Sequence, residues 1–149
     1  MVNTMIEQNA IQNIQQSLIE QKQNLDALWV TLQNELEAIN TRNSNALENS
    51  AKEKVTILNK ISILDQKLIN SPLAQIKNSI PSIKEDISAI NELLSNCKQQ
   101  NDLNAHAAHQ TQIAVKKVTD ILLGSIKSLT YDNKGKSQAG TLLSKGIKA

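Results

Sequence analysis

This chain of 149 residues carries 16 Lys and Arg against 14 Asp and Glu, one Cys, four Gly and 1% aromatic residues. A single cysteine excludes an intramolecular disulfide framework, and four scattered glycines exclude a glycine-rich phosphate cradle. Trp29 and Tyr131 are the only aromatics, and 17 Asn with 14 Gln supply an uncharged polar surface. With so little aromatic area to bury, Leu, Ile, Val and Ala suit helices packed side by side better than a sheet or a deep pocket.

The length suits one domain, and the charge is unevenly spread. Residues 130–149 hold Lys134, Lys136, Lys145 and Lys148 against Asp132, a local +3, which leaves residues 1–129 at −1. No clustered Lys/Arg face marks a nucleic-acid interface, and the sole arginine, Arg42, falls in a predicted loop. The first residues lack a basic region followed by an apolar run, so no secretory signal is visible. No apolar stretch approaches the roughly 20 residues of a spanning helix. The expectation is a cytoplasmic protein with no stable membrane insertion.

Thr4 and Glu7 have the spacing of a capping box, and apolar residues recur after them. Ile11, Leu18, Leu25, Leu32 and Ile39 stand seven apart, with Ile14 and Leu28 in the second seam position. This heptad seam is interrupted by Gln21 and Glu35, and Trp29 and Leu36 widen it. It predicts a first helix over about 5–39, about 50 Å long.

Residues 40–45 have turn composition, and Asn45 with Glu48 is placed to cap a second helix over 46–70. Leu47, Ala51, Val55, Leu58, Ile61, Leu64 and Leu68 mark its expected inner face. The short connection makes the first two helices antiparallel neighbours. Pro72 and Pro81 interrupt the pattern, and residues 72–79 form either a short helix or an irregular crossover.

Ser82 and Glu85 are a second capping-box pair, opening a third helix over 82–129, about 70 Å long. Its seam runs through Ile83, Ile87, Ile90, Leu94, Cys97, Asn101, Ala105, Ala108, Val115, Val118, Leu122 and Leu129. Asn101 and Asn104 fall on or beside that seam, where a polar residue weakens packing but fixes register. Gly124 lowers helix propensity by about 1 kcal/mol against alanine and predicts fraying or a kink. Thr130–Gly135 reads as a turn holding Tyr131, followed by a flexible basic tail with Leu142, Leu143 and Ile147.

Candidate chemistry is sparse. His106 and His109, with Asp102 one turn earlier, have ligand-like spacing, but the heptad frame points both histidines away from the seam and no further His or Cys completes a metal shell. Cys97 lies on the seam and reads as a small buried hydrophobe. Glu85 and Asp86 sit in a first helical turn, where the helix dipole favours acids without catalysis. An enzyme is not expected, and neither a cofactor nor a metal is implied. The apolar positions Val118, Ile126, Leu122 and Leu129 form a stripe near the end of the third helix, and an exposed stripe of that kind implies a partner or self-association.

Three segments carry a resemblance. Ala46–Lys54 leads into Ile57-Leu58-Asn59-Lys60-Ile61. Asn91-Glu92-Leu93-Leu94 is followed by Gln100–Asn104. Leu122-Leu123-Gly124 is followed by Thr130-Tyr131-Asp132-Asn133-Lys134-Gly135. In helix order and length the chain resembles the FlgN family of flagellar export chaperones, with Asn104 standing where the family usually has a glycine.

The helical pattern itself predicts an all-α fold, an antiparallel helical hairpin plus a long third helix in a coiled-coil-like three-helix bundle with a flexible C-terminal tail, and the resemblance follows that order and length. The resemblance implies a cytosolic chaperone for the hook–filament junction proteins FlgK and FlgL, binding their C-terminal helices before export. Val118, Leu122, Ile126 and Leu129, with Leu142, Leu143 and Ile147, correspond to the client-binding region. Tyr131 corresponds to the residue that docks on the export-gate protein FlhA. Two rival readings stand beside it: a self-assembling coiled-coil protein without a client, and a nucleic-acid-associated protein that uses the basic tail. Homo-oligomerisation in the absence of client is open.

Overall fold

The computed structural model describes the backbone of residues 2–134 and the side chains of residue 5 and residues 7–124. Among the described residues four helices follow in chain order: α1 Val2–Asn40, α2 Ser44–Ile69, α3 Leu73–Ile76 and α4 Pro81–Lys134. No strand occurs among the described residues, so the fold is all-α. The chain divides into two units, residues 1–104 and 105–149.

In the first unit, α1, α2 and the beginning of α4 pack in up-down-up order. The α1–α2 pair is antiparallel: the Gln21 amide donates to the Ile61 carbonyl at 3.1 Å, and Lys54 bonds Glu35. α4 runs parallel to α1. Lys22 meets Asp86 at 2.6 Å, the Cys97 thiol donates to the Leu25 carbonyl at 3.6 Å, and the Asn104 amide donates to the Leu32 carbonyl at 2.8 Å. The last two pairs lie one heptad apart on each helix, as a parallel coiled-coil register requires.

Two apolar clusters fill the interior. Ile14, Leu18, Leu68 and Ile83 form one, joined by Leu73 and Ile76 of α3. Leu25, Leu28, Leu32 and Cys97 form the other. The heptad residues Leu18, Leu25 and Leu32 are almost completely buried, as their spacing predicts.

The α1–α2 link shows why the turn is so short. The Asn43 N–H donates to the Ala38 carbonyl and the Arg42 N–H to the Ile39 carbonyl, the paired bonds of a Schellman motif. Arg42 occupies the left-handed position of that motif, with φ 54°. Asn43 then caps α2, its side-chain oxygen accepting from the Ala46 N–H at 3.1 Å.

Several sequence expectations are corrected here. Asn43, not Asn45, caps α2, because it directly follows the Schellman closure. Thr4 lies inside α1. α4 begins at Pro81, and the Ile80 carbonyl accepts from Ile83 and Lys84, which puts Ser82 past the cap position. Pro81 suits that first helical position, since its missing N–H would have no partner there. Of the two readings of residues 72–79, the short helix is the one observed.

The inner face of α2 is also turned by one residue at its N-terminal half. Leu47, Ala51, Val55 and Leu58 are exposed, while Ala46, Lys54 and Ile57 are half-buried and Ser50 is buried. Lys54 turns inward on this face, where it bonds Glu35 and Asn101.

Candidate functional site

In the second unit the described side chains all lie on α4. Ala107, Ala108, Thr111, Ala114, Val115 and Thr119 are half-buried. The Thr111 and Thr119 hydroxyls donate to the carbonyls of Ala107 and Val115, four residues back, at 3.0 and 2.9 Å. These bonds satisfy the hydroxyls locally and leave no polar group seeking a partner on that face.

Past Val115 the apolar side chains change exposure. Val118 is 56% exposed, Ile121 68% and Leu122 57%, whereas Leu123 is buried. Residues 118, 121 and 122 share one helix face by the i, i+3, i+4 rule. Lys116, Lys117 and Asp120 are exposed beside them. Three large apolar residues together on one water-facing strip form a surface that a partner helix can cover.

Of the residues singled out from sequence, Val118 and Leu122 are therefore brought together in the open. Ile121 belongs with them and was missed, because the heptad frame follows only one seam position per turn. Ile126 and Leu129 lie on the α4 backbone, with side chains outside the described residues. Leu142, Leu143 and Ile147 lie outside the described residues altogether.

Tyr131 is on helical backbone. α4 continues to Lys134, through the segment read as a turn. Gly124 neither ends nor interrupts it, and nothing lies within 4 Å of where a β-carbon would stand on Gly124. One glycine is too small a penalty to stop a helix with no proline between residues 82 and 134.

His106 and His109 are both exposed, and among the described residues no three of His, Cys, Asp and Glu gather as metal ligands. Cys97 is buried on the seam, and its thiol is raised above the ordinary value, first by burial and then by the charge of Asp26. That keeps the sulfur protonated and unreactive. Among the described residues no helix is long and apolar enough to cross a membrane.

A polar cluster ties the three helices of the first unit together. Lys54 of α2 bonds Glu35 of α1 at 3.2 Å and the Asn101 side-chain oxygen of α4 at 2.6 Å. Asn104, 1% exposed, donates to Glu35 at 3.0 Å and accepts from Gln100 at 2.9 Å.

The family model described as FlgN protein matches residues 1–139 of this chain. No curated protein and no solved structure matches it.

Proposed function

Since the chain belongs to the FlgN family, whose role is that of a flagellar export chaperone, we propose that its clients are the hook–filament junction proteins FlgK and FlgL. In this reading it holds their C-terminal helices in the cytoplasm, prevents premature assembly and delivers them to the export gate. The observation that carries the client site is the exposed strip of Val118, Ile121 and Leu122 on α4.

An exported client offers an amphipathic helix that is buried only after assembly. The strip supplies the missing apolar neighbour. Burying three or four such side chains contributes about 5–10 kcal/mol before the cost of ordering both partners. That leaves an affinity compatible with release. By sequence spacing Ile126 and Leu129 follow on the same frame, and Leu142, Leu143 and Ile147 are assigned to the same client-binding role. Tyr131, beyond the strip, is assigned to docking on FlhA.

The test is direct. The chain is mixed with the C-terminal segment of FlgK or of FlgL, and complex formation is followed by size exclusion with light scattering. A complex at micromolar concentration is expected with at least one of them. Absence of a complex with both overturns the reading.

A further inference from the structure

A cleft of about 400 Å³ opens in the first unit between α2, α3 and α4. Its floor is apolar, from Leu18, Leu68 and Ile90, and its walls carry Asp65 and Ile69 on α2 and Ile87 and Asn91 on α4. Lys77, just after α3, also lines it. Residues seven apart on a helix stay within about 20° of one strip. Leu58 therefore prolongs the α2 wall beyond Asp65, Leu94 prolongs the α4 wall beyond Ile87, and Lys84 and Lys98 flank Asn91 on the same strip of α4. The groove ends where Lys54 bonds Asn101 at 2.6 Å. From Ile69 to Leu58 it runs about 16 Å, three turns of helix.

Two features distinguish this groove from an ordinary surface. Leu58 and Ile69 are exposed on its α2 wall, at 44% and 66%. Its lysines also behave differently from those that bridge α1 to its neighbours. Lys22 and Lys54 each meet a carboxylate across a helix interface. Lys77, Lys84 and Lys98 are exposed and make no ion pair with any described residue. Asp65 is the one carboxylate on the walls, and Asp102 lies one residue past the Asn101 bridge, so the groove side is net positive.

We propose that this groove docks a short amphipathic helix whose flank is acidic. Its apolar anchors enter the cleft over Leu68, Ile87 and Ile90. Its carboxylates run along Lys77, Lys84 and Lys98. A helix is the form that fits, because three turns place anchors at i, i+4 and i+7 on one face while satisfying their own backbone groups. This surface is separate from the strip at 118–122 and does not depend on which client that strip takes.

The experiment uses two stapled helical peptides of about 14 residues with one shared leucine face, one flanked by Glu and the other by Lys. Binding to the full chain is read by fluorescence anisotropy, and the site by methyl NMR of Ile69 and Ile87. The Glu peptide is expected to bind about tenfold more tightly than the Lys peptide, with the preference shrinking as salt rises. The doubly substituted chain K84E/K98E, altered only at exposed positions, is expected to lose that preference. Equal binding, tighter binding of the Lys peptide, no binding, or methyl shifts confined to other positions overturns the proposal. So does a dimer abolished by L58E, which assigns the groove to a second copy of the chain.

Discussion

The side-chain amide of Asn104 reaches across to α1 and donates to the main-chain carbonyl of Leu32 at 2.8 Å. The same amide also bonds Glu35, and its oxygen accepts from Gln100, so a fully buried polar side chain has its hydrogen bonds met. Asn104→Ala removes all three and leaves Glu35 with fewer partners in a half-buried site. A loss of about 1–3 kcal/mol is expected, a fall of roughly 2–4 °C in Tm per kcal/mol for a chain of this size. Asn104→Leu restores apolar volume and should cost less than the alanine variant. Urea titration of the three chains checks that order, and a leucine variant weaker than the alanine variant contradicts it.

The two lysine pairs on α2 differ in depth, so they differ in worth. Lys52 and Glu48 stand at 3.4 Å with both side chains largely in water. Lys54 and Glu35 stand at 3.2 Å and are mostly shielded. Lys52→Ala is expected to change stability by less than about 0.5 kcal/mol. Lys54→Ala leaves Glu35 with the Asn104 amide but without its cation and frees Asn101, and a loss of about 1–3 kcal/mol is expected. A double-mutant cycle on Lys54 and Glu35 should return a coupling of at least about 0.5 kcal/mol, and a value near zero refutes the network.

The same pair shows where the sequence was readable and where it was not. Strict sevens on α1 placed Leu18, Leu25 and Leu32 in the core, and apolar periodicity alone was sufficient for that. On α2 the apolar residues Leu47, Val55 and Leu58 looked like the inner face, yet Ser50 and Lys54 turn inward. No hydropathy pattern can rank a lysine above a leucine. Only the positions of Glu35 and Asn101 on two other helices make the half-buried cation favourable. Gln21 and Glu35, which interrupt the α1 seam, are the residues that bond to α2. The apparent defects in the heptads were thus interhelical polar contacts. At the strip on α4, Val118 and Leu122 were legible from spacing, while Ile121 emerged only from its exposure.

Arg42 holds a left-handed backbone conformation that glycine adopts without penalty. A non-glycine residue there costs about 1–2 kcal/mol. The Arg42 N–H bond to Ile39 is a main-chain bond and survives substitution. Arg42→Gly is therefore expected to stabilise the chain by about 0.5–1 kcal/mol, after the added freedom of the unfolded glycine is subtracted. A thermal melt showing no gain places a stabilising contact on the arginine side chain.

Cys97 is buried, and its thiol is raised from the ordinary 9.0 by burial first and Asp26 second. A raised acid favours its protonated form in the folded state. Its contribution to stability is complete below the unfolded thiol value and is lost as pH rises through the higher folded one. Stability should therefore decline above about pH 9, and Cys97→Ala should lessen that decline. At pH 8 the native chain should resist iodoacetamide and the urea-unfolded chain should react. Fast alkylation of the native chain contradicts the burial.

The exposed strip and Tyr131 separate two proposed tasks. Val118→Asp with Leu122→Asp places charges where a client helix must bury its apolar face. Both positions are open to water, so circular dichroism should be nearly unchanged. Binding of the FlgK or FlgL segment should weaken by at least about a hundredfold, since each charge loses a desolvated contact worth more than about 1.4 kcal/mol. Tyr131→Ala should leave that binding intact and weaken capture by FlhA. If both variants lose client binding equally, Tyr131 belongs to the client surface and the division fails. If the strip variant binds clients at full strength, the strip is not their site.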